Sequence, residues 1–367
     1  SGNDTNAGFR KQSDLFKLRY TMPSSYLEFS SQNTTETSHE SYIGLTRADF
    51  AANPYKRYGA SSLDKMDNDY HRYILTYNMD LSPATNFLGK VYKSKYSRNW
   101  KKMGSITVDD DGVAGGSQTS IDLDDAGLDW TTNCAAGTTI GKRACNIITN
   151  GTAMIADESL KRAIGHRDYG MYGYDLKLNH VMGNHDMTFG YRHHHDYRQR
   201  QDNGISETWT LGDNNTYTNV TTDRTPATQQ ERKSAWADSI SFQDRITHGN
   251  FVTTLGVRYE DVEYDKIAKN QDDVVAYENS ETMMAASTAY SMGEGKTAFV
   301  GYSQGYNPTG ASDVDPEESD NYEIGYRSRN ANGFMEVVAF YVDYDMLNEE
   351  CSICLLYTSD AADDRGC

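Results

Sequence analysis

The sequence predicts an all-β, antiparallel up-and-down barrel that crosses a membrane, and three observations carry that prediction. Apolar and polar residues alternate over long windows. Short, turn-forming connections alternate with long polar ones, and tyrosine is spent on one face of nearly every window. The chain of 367 residues is 37% hydrophobic, with 27 Tyr against 11 Phe, 30 Gly and only 6 Pro. No run approaches the roughly 20 apolar residues of a transmembrane helix. In a transmembrane barrel only every second position need be apolar, so mean hydropathy stays low, here −0.75.

Strands are expected, in order, at 15–21, 26–34, 69–81, 87–99, 167–180, 185–198, 233–247, 251–263, 282–291, 297–304, 321–329 and 334–345. In "YHRYILTYNMDL", Tyr73, Leu75, Tyr77, Met79 and Leu81 share one face and Arg72, Thr76, Asn78 and Asp80 the other, with Ile74 the exception. "YGYDLKLNH" sets Tyr172, Tyr174, Leu176 and Leu178 against Gly173, Asp175, Lys177 and Asn179. "NYEIGYR" repeats the pattern with Tyr322, Ile324 and Tyr326. A helix needs apolar residues at i, i+3, i+4 and i+7, which these windows lack. The short connections are "MPSS", "SPAT", "MGN", "HGN", "MGEGK" and "NANG", all rich in turn formers. The long ones fall near 38–68, 104–163, 201–231, 265–281 and 305–320. In transmembrane barrels short turns face the periplasm and long loops the outside. A soluble β-sandwich would show shorter strands and fewer very long loops.

The formal net charge of −18 argues against nucleic-acid binding, which needs basic patches to neutralise phosphate. Cys134 and Cys145 lie in the polar stretch "NCAAGTTIGKRAC" and are the candidate disulfide of an oxidising compartment. The opening "SGNDTNAGFR" lacks the charged and apolar regions of a leader peptide. The segment "CLLYTSDAAD" resembles a transposase sequencing adapter translated in frame. Residues 1–351 are therefore expected to be the barrel portion, and 352–367 a non-native, disordered tail.

Residues 38–67, "SHESYIGLTRADFAANPYKRYGASSLDKMD", resemble a long segment of TonB-dependent outer-membrane receptors of the ferric-dicitrate (siderophore) type. "YSRNW" (96–100) follows at the spacing seen in that family, and "GYSQGYNP" with "PEESDNYEIGYR" resembles strands near the end of such barrels. The resemblance covers 8–351. It implies a 22-stranded barrel of which about twelve strands are present, without the N-terminal plug and TonB box. It also implies location in the outer membrane, contact with its lipids, energy supplied by TonB and its inner-membrane complex through that N-terminal region, and active uptake of a ferric chelate. The chelate is cargo; no covalent cofactor is implied. A receptor for an oligosaccharide or a cobalamin, and a passive porin-like barrel, are the alternatives. No catalytic motif appears, so no enzyme is expected.

Candidate binding residues follow from strand geometry. In "HDMTFGYRHHHDYRQR" consecutive side chains point to opposite faces, so the three histidines cannot converge on one ion, and no metal site is expected. Met187, Phe189, Tyr191, His193, His195 and Tyr197 are expected toward lipid. Arg192, His194 and Arg198 are expected toward the lumen, with Arg167 on the neighbouring strand. Guanidinium groups offer bidentate, charge-assisted hydrogen bonds to a carboxylate-rich chelate. The plainer alternative is pairing of these arginines with wall carboxylates. Arg57 in "NPYKRY" is a further candidate on a loop above the mouth, or else a loop-folding residue. Arg258 and Glu260 are expected to pair within the wall, and the acidic run "DVDPEESD" (313–320) to be solvated surface.

Overall fold

The structure is a computed structural model that describes residues 8–345, apart from 42, 112, 114, 123–138, 154–156, 212–216, 225–230, 268–273, 309–314 and 332. The strands are β1 (Phe9–Met22), β2 (Ser25–Ser38), β3 (Lys65–Ser82), β4 (Thr85–Asp109), β5 (Gln118–Asp122), β6 (Ser159–Met182) and β7 (His185–Leu211). They continue as β8 (Tyr217–Arg224), β9 (Glu231–His248), β10 (Phe251–Ile267), β11 (Val274–Gly293), β12 (Lys296–Asn307), β13 (Glu317–Asn330) and β14 (Gly333–Asp345). Two helices, α1 (Arg47–Ala52) and α2 (Thr139–Asn150), and a 3₁₀ turn, Gly59–Leu63, lie in the long connections.

All the strands join one antiparallel sheet in the order β1-β2-β3-β4-β6-β7-β9-β10-β11-β12-β13-β14. The two-residue connections force β1-β2, β3-β4, β6-β7, β9-β10, β11-β12 and β13-β14 to pair as hairpins, and the strands joined by long connections also lie side by side. Every strand on this path has a counterpart among those expected from the alternation. The boundaries differ at the long-loop end: β4 runs to Asp109 and β7 to Leu211, well past the expected 99 and 198. There the strands rise clear of lipid, alternation is no longer required, and the sequence signal fades. The regions read as loops also hold β5, paired with β4, and β8, paired with β7.

Tight turns fix the register at the other end. Glu294 and Gly295 both have positive φ (52° and 73°), the combination of a type I′ hairpin. Gly183 and Gly249 supply the single positive φ of a first central residue, 59° and 55°.

The register sorts side chains as the alternation requires. Tyr73, Leu75, Leu176, Phe189, Ile240, Tyr259, Val300, Ile324 and Val337 fall on the outer face and are exposed. The shortest strand on the path has 12 residues, enough for the 9–11 of a bilayer crossing. No helix among the described residues is long and apolar enough to cross a membrane. β1 and β14 bound the sheet, each with one paired side, and both are exposed along almost their whole length.

The dry core lies at the long-loop end, not inside the wall. Tyr58, Ala60, Met103, Ile106, Val108, Ala144, Ile147, Ile148, Ala153 and Leu160 form one buried cluster. The tops of β4 and β6, the 3₁₀ turn and α2 thus pack into a cap. In α2, Ile140, Ala144, Ile147 and Ile148 recur at helical spacing and supply its packed face. The stretch around Cys145, expected to be polar loop, is therefore helical. Cys145 is disulfide-bonded, and Cys134 lies outside the described residues, as does the tail 352–367.

Candidate ligand-binding site

The first long connection carries Arg57, and its local chemistry explains where that side chain goes. Thr46 caps α1 by accepting from the Asp49 backbone N–H at 3.1 Å. Tyr58 donates to Asp49 Oδ2 at 2.7 Å, and Lys56 pairs with Asp49 Oδ1 at 2.7 Å. These contacts, with the lysine hydrogen bond the largest influence, hold the Asp49 carboxyl below its ordinary pKa. Arg57 is buried and turned inward. It donates to the carbonyls of His39 (2.7 Å), Ser61 and Asp64 (3.2 Å) and to Ser61 Oγ (3.3 Å). The guanidinium staples the loop, which is the loop-folding role the sequence left open. Burial lowers its pKa, partly offset by Asp64.

Asp64 locks the same loop to the wall. Its Oδ2 accepts from Ser41 Oγ and its Oδ1 from the Met103 backbone N–H, both at 2.8 Å. Burial dominates and pushes its pKa up to about 6. A raised folded value means that the folded cap binds a proton more tightly than the open loop does. The contribution of Asp64 to cap stability is therefore greatest below about pH 4 and is lost as pH rises through about 6, opposite in sign to that of Asp49. The total change is roughly 2–3 kcal/mol. Asp64→Asn removes the charge, keeps Oδ1 as acceptor for the Met103 N–H and lets Nδ2 donate to the Ser41 hydroxyl instead of accepting from it. It is expected to abolish this dependence and to protect residues 39–64 better at neutral pH. Amide protection factors measured across this range check it; an unchanged pH profile in the variant contradicts it.

Along the inner face of β4, β6, β7 and β9 the register assembles a second group. The rings of the histidine triplet alternate. His193 stacks on Tyr174 with centroids 5.4 Å apart, and its Nδ1 meets Asp238 Oδ1 at 2.9 Å. His195 is 4% exposed, with its ring centroid 3.8 Å from Trp236 and 4.7 Å from Tyr172. Both belong to an aromatic band on the outer face. His194 points the other way. Its Nδ1 lies 2.7 Å from the Tyr92 hydroxyl and 3.3 Å from Arg192 Nη2, both donors, so Nδ1 accepts and the ring proton sits on Nε2. Nε2 is 3.8 Å from Asp196. Arg192 also faces Asp175 at 3.5 Å.

Higher on the wall, Arg98, Arg167 and Arg200 are register partners on three adjacent strands, standing abreast. Strands are about 4.8 Å apart, and like charges directly opposite destabilise a sheet. Beside them Arg198 pairs with Glu231. Arg98 Nε and Arg198 Nε are both buried without a hydrogen-bond partner. Tyr70, Tyr96, Tyr169, Tyr197 and Tyr264 join Arg198, Lys233 and one carboxylate, Asp196, around a cavity of about 450 Å³. The Tyr96 and Tyr169 rings are 5.8 Å apart. Guanidinium donors and tyrosine faces together can hold an anionic, partly aromatic ligand.

The structure thus brings Arg167 and Arg198 together on one stretch of wall, sets Arg192 and His194 lower on the same face, and sends Arg57 into the cap. Sequence reasoning missed Arg98, Arg200, Lys233 and four of the five cavity tyrosines; the fifth, Tyr197, had been expected toward lipid. Arg98 lies within "YSRNW", and counting its face from Tyr92 would have put it on the inner face; its place beside Arg167 comes from the register between β4 and β6. Arg258 and Glu260 do pair, two residues apart on β10, at 3.1 Å.

A meander of bilayer-length strands, apolar outside and polar inside, with tall loops on one side only, defines a transmembrane barrel wall. The family described as "TonB dependent receptor-like, beta-barrel" matches residues 4–347, and the chain belongs to it. Members of this family are receptors and transporters, not enzymes. No curated protein matches the sequence. Among solved structures, the unliganded ferric citrate transporter FecA superposes with a TM-score of 0.63 at 13% identity, over 93% of this chain and 44% of its own. The ferric-catecholate import receptor Fiu of E. coli K12, in its open form, gives 0.59 at 12% identity, over 94% of this chain and 53% of its own. The copper transporter OprC gives 0.51 at 8% identity, over 88% and 44%. The chain spans about half the length of these relatives.

Proposed function

We propose that this chain forms part of the wall of an outer-membrane receptor that takes up an anionic ferric chelate with energy from TonB. The observation that supports this reading best is the row of arginines, Arg98, Arg167 and Arg200, abreast on the inner face beside the tyrosine-lined cavity. Like charges set abreast in a wall cost stability, and an anionic ligand offsets that cost. The similar transporters carry ferric citrate and ferric catecholates by name. In this reading the loops and inner wall capture the chelate, and TonB with its inner-membrane complex moves a plug carried elsewhere in the receptor. Outer-membrane lipids meet the apolar face. No bond is made or broken.

A second reading is favoured by Tyr70, Tyr96, Tyr169 and Tyr264: rings of this kind also stack on oligosaccharides. The two readings separate by charge. In the complete receptor that contains this wall, Arg167→Ala with Arg198→Ala is expected to weaken binding of ferric citrate or a ferric catecholate about 30-fold or more, given 1–3 kcal/mol per charged contact. Titration calorimetry with each chelate and with a neutral maltooligosaccharide is the check. Unchanged chelate affinity, or tighter binding of the neutral sugar, overturns the proposal.

A further inference from the structure

The sheet is not continuous between β11 and β12. Their ladder covers Ala285–Gly293 against Lys296–Ser303 and stops there, although β11 continues upward to Val274 and β12 to Asn307. Above the split, β11 stays paired with β10 and β12 with β13. The Met284 backbone N–H, which a continuing ladder would use, donates instead to Gln304 Oε1 at 3.0 Å. The Thr282 N–H donates to the side chain of Glu281 at 2.9 Å. Side-chain oxygens thus stand in for a missing strand. The same alternation turns the backbone polar groups of Ser280, Glu278 and Ala276 toward this side, where no strand pairs with them among the described residues. Tyr306, opposite Glu318 on β12, has a buried hydroxyl oxygen with no hydrogen-bond partner.

The fork encloses about 340 Å³, and Glu281, Glu318, Asp320, Asp343 and Asp345 all line it, with no basic side chain among its lining residues. It lies at the long-loop end and includes part of the acidic run expected to be solvated surface. An open strand edge is a template for an incoming strand, and the flanking charge selects its sign.

We propose that this fork is a docking site for an extended, lysine- or arginine-bearing peptide segment of an extracellular partner, which adds as a strand along β11. Main-chain hydrogen bonds to Ala276–Met284 hold it, and alternate basic side chains meet the acidic walls. This is separate from chelate uptake and from the inner-wall arginines.

The full chain in detergent micelles, titrated with three synthetic peptides, tests it. One alternates Lys and Thr, one alternates Glu and Thr, and the third is the Lys-Thr peptide with a central proline, which keeps the charge but cannot continue a ladder. The expected result is salt-sensitive binding of the Lys-Thr peptide alone, with slowed amide exchange at Ser280–Met284. Affinity should fall about tenfold or more in Glu318→Gln with Asp320→Asn. Equal binding of the proline peptide means charge attraction only and overturns the proposal. So does no binding, protection confined to another strand, or equal protection by calcium chloride without peptide.

Discussion

Arg57→Ala is expected to release the first long loop from the wall. The guanidinium holds the carbonyls of His39, Ser61 and Asp64 and the Ser61 hydroxyl at once, inside a buried site. Removing it leaves these acceptors buried and unpaired, and hydrogen bonds to a charged donor are worth roughly 1.5–3 kcal/mol each. Discounting for water entering the vacated space, a local cost of about 3–5 kcal/mol remains. Amides between residues 39 and 64 should then exchange about 100-fold to 1000-fold faster, at 1.4 kcal/mol per factor of ten. Those of β10, remote from the cap, should not change. Arg57→Lys should not restore protection, because a single ammonium cannot reach the planar set of acceptors. Unchanged exchange in Arg57→Ala would remove the stapling role and return this residue to the ligand candidates.

Gly295→Ala is expected to be the most damaging single-carbon change in the wall. Gly295 has a φ of 73°, and a Cβ placed there would lie 2.1 Å from the Arg329 carbonyl oxygen. The obstacle is backbone, fixed by the Arg329 N–H donating to Gly295 O at 3.0 Å, so no side-chain rotation relieves it. A left-handed alanine alone costs about 1–2 kcal/mol, and displacing β13 from the turn brings the total to about 3 kcal/mol or more. The expected readout is a lower melting temperature of the β-sheet signal by circular dichroism in detergent, with faster proteolysis between β11 and β12. Gly333→Ala is the matched control, since nothing lies within 4 Å of a Cβ there. Equal melting of the two variants would show that the turn adapts.

The wall was legible because lipid on one side and water on the other impose a period of two. Phe189 and Ile240 had to face outward, so Arg192 and His194 had to face in. Where the strands rise above lipid that constraint ends, which is why the extra length of β4 and β7 went unread. The cap failed to show for a related reason. Its helix α2 has a packed face of Ile140, Ala144, Ile147 and Ile148, but it follows a polar stretch read as a loop closed by cysteines. The arginine row was legible in one member only: Arg167 was placed by face, as was Arg198 beside the row. Arg98 and Arg200 needed the register between strands, which no single segment contains.

The dry cluster around Tyr58, Ile106, Ile148 and Leu160 gives the molecule two stabilities of different physical origin. The wall is kept in place by hydrocarbon around it, whereas the cap excludes water by itself, like a small soluble domain perched on the rim. Urea at moderate strength should therefore melt the rim while the embedded strands persist, and delipidation should do the reverse. A receptor stripped of its lipid could keep an intact mouth above a collapsing throat.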